Sequence, residues 1–174
     1  MDNKTVYKWV EEVQQRCRFV DMAHDQLRVS LNEQLPEKVF YDVHALLGHV
    51  LALHGMFWPK RQSSLPRGDK LRQELKVADA SPLNIHNLRG HLAADDESFE
   101  DWLTGLRDPN FVDFNLMPVS AMSGMGTDTF QRNLDPENLQ MTYRGASCDL
   151  KQFHDETRAL QTTIERWKRE HTPW

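Results

Sequence analysis

The stretch Leu88-Arg89-Gly90-His91-Leu92-Ala93-Ala94-Asp95-Asp96-Glu97 lies within residues 85–106, where core positions recur at steps of three and four. Such steps are typical of one buried face of an α-helix. The positions on that face are Ile85, Leu88, Leu92, Asp95, Phe99, Trp102 and Leu106. Because burying an unpaired carboxylate is costly, we expect Asp95 to have a partner: Arg89, His91 or a histidine of another helix.

Similar patterns predict three further long helices. The first covers residues 4–32, and the second begins at Pro36, a favourable first-turn residue, and ends before Pro59. The last begins after Asp149, which suits an N-cap position. The buried positions of this last helix are Leu150, Phe153, Thr157, Leu160, Ile164 and Trp167.

The remaining segments complete the predicted fold. A short basic helix is expected at residues 68–77, and the helix of residues 85–106 is expected to start at Ser81-Pro82 and to be broken at residues 107–110. Residues 115–128 are typical of an irregular loop. Asp135-Pro136-Glu137-Asn138 predicts a turn between strands at 129–134 and 139–143, and Arg144-Gly145 predicts a second turn. We therefore expect one mainly α domain over residues 1–174: a bundle of four to five helices with a small β-hairpin before the C-terminal helix.

The composition is that of a packed globular protein, with 39% hydrophobic residues and five Trp. The net charge of −5 disfavours general nucleic-acid binding. The charge is unevenly placed: residues 59–76 hold six bases and two acids, whereas residues 79–114 hold eight acids and two arginines. These segments are either solvated helix faces or complementary surfaces that bind a second copy or another charged partner.

Cysteine content and hydropathy point to a reducing, cytoplasmic compartment. Cys17 and Cys148 form no disulfide framework or zinc-binding pattern. The most apolar helix carries Asp42 and three histidines, which makes it a poor membrane span, so we expect no membrane association.

Three predicted core faces each carry one ionisable residue: His24, His54 and Asp95. If the helices pack in register, these residues meet and form a metal site or an acid–base pair. The alternative is that each is hydrogen-bonded separately in its own surroundings. His44 and His49 lie five residues apart and form a poor ligand pair, and no HExxH motif is present, so we expect no cofactor and no metal.

Several segments resemble a group of bacterial helical proteins. They are residues 40–59, Arg67-Gly68-Asp69-Lys70-Leu71-Arg72, Leu88-Arg89-Gly90-His91-Leu92, and the tail from Asp135-Pro136 through Tyr143-Arg144-Gly145 to Asp149-Leu150. These relatives are similar to HEPN domains, all-helical bundles that often dimerise and often act as metal-independent ribonucleases. In that signature an Arg, usually followed by a polar residue, precedes a His by four to six positions.

The resemblance implies that Arg89 is the phosphate-binding arginine, because a planar, always-charged guanidinium suits a phosphate. Gly90 replaces the polar residue, and Ala94 stands where the signature has its catalytic histidine. A second formal match, Arg18 with His24, falls on the first helix. We therefore expect a degenerate HEPN-like bundle that acts by binding, as a homodimer or to a protein partner or small ligand.

Two alternatives remain open. One is a metal-independent ribonuclease that uses Arg89 with His91 and Asp95 as its catalytic residues, for which RNA is the substrate. The other is a DinB-like metal-binding bundle that uses His24 or His54 with Asp95, a resemblance carried by the His-rich second helix ending in Phe57-Trp58.

Overall fold

The computed structural model describes residues 1–93, 95–106 and 111–171. Its helices are α1 (Asn3–Asn32), α2 (Pro36–Phe57), α3 (Leu65–Leu75), α4 (His86–Ala93), α5 (Asp95–Gly105) and α6 (Leu150–Glu170). The strands are β1 (Asn115–Leu116), β2 (Arg132–Asp135), β3 (Gln140–Tyr143) and β4 (Ala146–Asp149). The expectation of a mainly helical chain with a small β element before its last helix is confirmed.

The core lies between α1, α2 and α6, with α3 packed across the ends of α2 and α6. The six predicted core positions of α6 are its six buried residues, and the buried face of α1 includes Val6, Val13 and Cys17. Asp149 caps α6 by accepting a hydrogen bond from the Gln152 main-chain N–H at 2.9 Å. The amphipathic patterns therefore predicted these helices correctly.

The region after Ser81-Pro82 differs from its prediction. These residues form a turn, and helix α4 begins only at His86. The Ser81 hydroxyl donates to Glu156 of α6 at 2.8 Å, and the Asn84 main-chain N–H donates to the Ser81 carbonyl at 2.9 Å. Ser81 therefore joins this turn to α6 instead of starting a long helix.

Helices α4 and α5 also differ from the predicted single helix. Nδ1 of His91 and Oγ of Ser98 are 2.8 Å apart, although the residues are seven positions apart in sequence. A continuous helix would hold such residues about 10 Å apart along its axis, so α4 and α5 run in different directions. Ala94 and the predicted break at residues 107–110 lie outside the described residues.

The β element is larger than the predicted hairpin. The strand order is β1-β2-β3-β4, with β1 parallel to β2 and the other neighbours antiparallel. Both predicted turns, at residues 135–138 and at Arg144-Gly145, are present. The second turn leads into β4, a strand that the sequence did not predict. This sheet brings the β3–β4 turn against the start of α5.

Within the described ranges, no helix has the length and apolar character needed to cross a membrane. Cys17 is buried and Cys148 is half-buried, and both are free thiols.

Gly68 allows α3 to pack closely against the end of α2. A Cβ atom at this position would lie 2.6 Å from both the Phe57 carbonyl oxygen and Cδ of Pro59. These are backbone and ring atoms, which cannot move aside as a flexible side chain would. Gly48 in α2, in contrast, has open space where a Cβ atom would lie.

We predict that Gly68→Ala destabilises the protein by about 1–3 kcal/mol through overpacking. Gly48→Ala is the matched control and is expected to stabilise the protein by about 0.5–1 kcal/mol, because alanine favours a helix more than glycine does. Urea unfolding monitored by circular dichroism measures both changes. A stabilised Gly68→Ala variant would show that the contact between α3 and α2 is looser than described.

Candidate functional site

The predicted site residues Arg89, His91 and Asp95 lie on α4 and at the start of α5. Arg89 and His91 are two residues apart, which places their side chains about 200° apart around the helix. The positive charge of Arg89 helps lower the pKa of His54, after the larger effect of burial, whereas His91 contacts Ser98. Arg89 and His91 therefore do not share one site within the chain.

Asp95 is not buried, which corrects its predicted place in the core. Its side chain is 63% exposed, and its partners are Tyr143 and Arg144 instead of Arg89 or a histidine. The reason is that α5 begins at Asp95, so this residue is at a helix start and not inside a continuous buried face. A carboxylate there also interacts favourably with the positive end of the helix dipole.

Arg144 is the central residue of the observed site. Its Nη1 donates to the main-chain oxygen of Asp95 at 2.7 Å and lies 3.1 Å from the carboxylate oxygen Oδ1. The guanidinium also lies over the rings of Phe99 and Tyr143, at 4.8 and 4.7 Å from their centroids. Arg144 thereby joins the β3–β4 turn to α5, although its side chain is only 3% exposed.

The backbone at Arg144 is unusual for a residue with a side chain. Arg144 and Gly145 have φ values of 49° and 84°, as expected for the two-residue turn between the paired residues Tyr143 and Ala146. Glycine or asparagine normally occupies the first position, because a left-handed backbone costs other residues roughly 1–2 kcal/mol. The contacts of the Arg144 guanidinium offset this cost.

Tyr143 connects this ion pair to two histidines. Its hydroxyl donates to Oδ1 of Asp95, and burial, followed by this hydrogen bond, raises the pKa of Tyr143. The rings of His44 and His91 meet the Tyr143 ring edge-on, with centroids 5.4 and 6.5 Å away. At neutral pH the phenol is therefore a fixed hydrogen-bond donor.

A second ion pair also acts on His44. Arg132 donates from Nε and Nη2 to the two carboxylate oxygens of Asp113, at 2.8 and 2.7 Å. Burial, followed by the positive charge of Arg132, lowers the pKa of His44. Nε2 of His44 is buried and has no hydrogen-bond partner among the described residues. His44 is thus a neutral imidazole near two Arg–Asp pairs.

An open groove of about 430 Å³ lies beside this cluster. Its lining residues are Gly90, His91, Glu97, Ser98, Asp101, Trp102 and Arg144. Glu97 and Asp101 are exposed and one helical turn apart on α5, and their side chains form no hydrogen bond or ion pair with any described residue. The groove therefore combines two free carboxylates with an arginine that is already neutralised by Asp95.

The groove is poorly arranged for nucleophilic catalysis. The contact between His91 and Ser98 resembles a base–nucleophile pair. However, burial and then the positive charge of Arg144 lower the pKa of His91, which makes its imidazole a weaker base. Within residues 1–93, 95–106 and 111–171, no carboxylate bonds the other ring nitrogen to orient it.

The three ionisable core residues do not converge. Nδ1 of His54 contacts the Leu83 carbonyl at 3.3 Å, and His24 stacks on His154 of α6. The part of the chain that the structure describes holds no group of three or more His, Cys, Asp or Glu suited to a metal ion. The DinB-like site of His24 or His54 with Asp95 is therefore not formed by these residues.

The sequence did not predict four residues of the site: Tyr143, Arg144, Ser98 and His44. One signal in the sequence pointed to Arg144: it lies in the predicted Arg144-Gly145 turn, at a position that arginine rarely occupies. Nothing in a single sequence indicated that this turn would lie against α5, since that contact depends on the change of direction between α4 and α5.

We predict that His44 makes stability depend on pH. The unfolded chain takes up a proton near the ordinary histidine pKa of 6.5, whereas the folded state keeps His44 neutral. Stability is therefore highest above pH 6.5 and falls as the pH is lowered through that value. His44→Gln should lose less stability between pH 7.5 and 5.5 than the wild type, as measured by urea midpoints. Exposed His86→Gln is the control, and an unchanged pH slope in His44→Gln would contradict the assignment.

No protein-family model matches the sequence, and neither curated proteins nor solved structures include a significant match.

Proposed function

We propose that the chain is a non-catalytic, HEPN-like helical bundle that acts by binding, and that the groove beside α5 holds a positively charged segment of a protein partner. The observation that carries this proposal is the pair of free carboxylates, Glu97 and Asp101, at the groove. A lysine or arginine side chain placed between them forms charge-assisted hydrogen bonds with both.

The charge around the groove supports a cationic ligand. Like charges one turn apart on a helix repel each other, and a bound cation removes this repulsion. Asp96 and Glu100 are also exposed on α5 and extend its negative field. Among the described residues that line the groove, the one arginine is Arg144, which is paired with Asp95 and so opposes a cation only weakly. The same field repels RNA phosphates.

The arrangement of the remaining candidate residues supports binding over catalysis. Arg89 and His91 point to different surroundings, and the Asp95 carboxylate is occupied by Tyr143 and Arg144. The HEPN-type ribonuclease requires an arginine and a proton-transferring residue at one phosphate. The contacts of Asp95 with Tyr143 and Arg144, and of His91 with Ser98, keep these two side chains in other roles.

A second copy of the chain is one source of the positive segment. Lys60 and Arg61 are exposed between α2 and α3, and their side chains form no hydrogen bond or ion pair with a described residue. In contrast, Arg67 donates to the Gly55 carbonyl at 3.0 Å, and Arg72 bonds the Phe57 carbonyl and Asp69. The proposed homodimer therefore pairs Lys60 and Arg61 of one copy with the α5 groove of the other.

The test uses a fluorescein-labelled peptide, Gly-Arg-Gly-Lys-Gly-Arg-Gly, and a matched peptide in which Gln replaces each Arg and Lys. We expect wild type to prefer the basic peptide and Glu97→Gln/Asp101→Asn to bind it at least about tenfold more weakly, which corresponds to about 1.4 kcal/mol. Fluorescence anisotropy at low and high salt measures both effects.

The matched control is Glu100→Gln, which removes an exposed acid of α5 that does not line the groove and should change the affinity less than twofold. Equal affinity of wild type for the two peptides, including no binding of either, would contradict the proposal. Sedimentation velocity on the same variants shows whether a second copy is the partner.

We also predict that neither wild type nor Arg89→Ala cleaves a fluorescent single-stranded RNA panel in EDTA, even at enzyme excess. The physical reason is that Arg89 and His91 do not face a common phosphate position. Cleavage by wild type that disappears in Arg89→Ala would instead support the metal-independent ribonuclease.

A further inference from the structure

A second cavity, of about 470 Å³, lies between α1, the β2–β3 turn and the first turns of α6. Its polar wall includes His24 and Arg28 from α1 and Lys151 and His154 from α6, and Leu31 and Leu139 provide apolar lining. None of these residues lines the α5 groove. The cavity therefore presents a separate surface with cationic groups on one side and hydrocarbon on another.

A stacked pair of histidines forms part of the polar wall. The rings of His24 and His154 are nearly parallel, at 9°, with centroids 3.9 Å apart. Nε2 of His154 lies 3.2 Å from Oδ1 of Asp21, whose other oxygen accepts a hydrogen bond from Gln161 at 2.7 Å. His154 therefore contacts both Asp21 and His24.

His24 has an unused polar atom. The residue is 6% exposed, and its Nδ1 is buried without a hydrogen-bond partner among the described residues; the nearest carboxylate oxygen, of Asp25, is 3.9 Å away. Burial, followed by the charge of His154, lowers the pKa of His24. A buried polar atom without a partner is unfavourable, so an acceptor that reached it would stabilise the folded state.

Arg28 supplies the free positive charge. It lies one turn after His24, is exposed, and forms no ion pair with a residue in the described ranges. Lys151 also borders the cavity but is bound to Asp155 at 2.6 Å. Glu137 on the β2–β3 turn is the remaining carboxylate of the lining. Protonation of a histidine therefore makes the lining positive overall.

We propose that this cavity binds a small organic anion, a carboxylate or phosphate monoester with an apolar body. Its oxyanion accepts hydrogen bonds from Arg28 and from protonated His24, and its apolar body packs against Leu31 and Leu139. Arginine suits an oxyanion because its planar donors match the geometry of carboxylate and phosphate. A metal ion does not fit, since no suitable ligand group occurs in the described part of the chain.

Binding by this arrangement is coupled to proton uptake. An anion beside His24 stabilises the charged imidazole, so the bound state holds more protons than the free state near neutral pH. Asp25 and Asp155 favour the same protonation, whereas Arg28 and His154 oppose it. Affinity should therefore increase as the pH is lowered from 8 to 6.

The test is isothermal titration of the full chain with benzoate, phenyl phosphate and inorganic phosphate. We expect benzoate, whose charge is constant over this range, to bind several-fold more tightly at pH 6 than at pH 8. Phenyl phosphate should bind more tightly than inorganic phosphate, which lacks the apolar body. A comparison of the affinities for benzoate and phenyl phosphate shows whether a carboxylate or a phosphate is the better headgroup.

Arg28→Gln should weaken benzoate binding at least about fivefold, whereas Arg18→Gln, which removes an exposed arginine of α1 outside the cavity, should not change it. Because His24 is buried and its replacement risks unfolding, the imidazole is followed in wild type by the NMR shift of its Cε1 proton. Equal effects of the two arginine variants, equal binding of phenyl phosphate and inorganic phosphate, or a His24 shift unchanged by benzoate would each overturn the proposal.

Discussion

The contact between Arg144 and Asp95 determines how the sheet and the short helices fit together. Arg144 sits in the β3–β4 turn, and its guanidinium binds both the main chain and the side chain of Asp95 at the first residue of α5. The rings of Phe99 and Tyr143 cover the faces of the guanidinium. This contact helps to fix the orientation of α5 and of the groove beside it, because Trp102 is the one buried side chain among the described residues of α5.

The charged side chains near this contact are of two kinds: those that are paired within the chain and those that have no partner among the described residues. Arg144 pairs with Asp95, and Arg132 pairs with Asp113. His44, near both pairs, is neutral. Likewise, Arg67 and Arg72 of the basic segment are bound to main-chain carbonyls of α2. The acids Glu97 and Asp101 have no such partners among the described residues, and they are the charges available for an external ligand. Binding through these residues is therefore consistent with the fold as a whole.

The long helices were predictable from sequence because each buries one regular face. Helices α1, α2 and α6 have the expected extents, and the N-cap Asp149 makes the expected bond. The start of α4 was not predictable, since the hydroxyl of Ser81 bonds Glu156, which is 75 residues away in sequence. The exposed position of Asp95 was not predictable either. Its spacing matches the buried face of one continuous helix, but the chain changes direction between α4 and α5. The pairings of His24 with His154 and of Tyr143 with Asp95 also join distant segments, and a single sequence carries no signal for them.

We propose that the free carboxylates of α5 form a binding surface for a positively charged protein segment. The most direct measurement is an NMR map of backbone amide shifts in the 15N-labelled chain as the basic heptapeptide is added. If the peptide binds in the α5 groove, the largest shifts fall on residues 97–102 and on Arg144, and these shifts disappear at high salt. Largest shifts on α1, α3 or α6, with residues 97–102 unchanged, would contradict it.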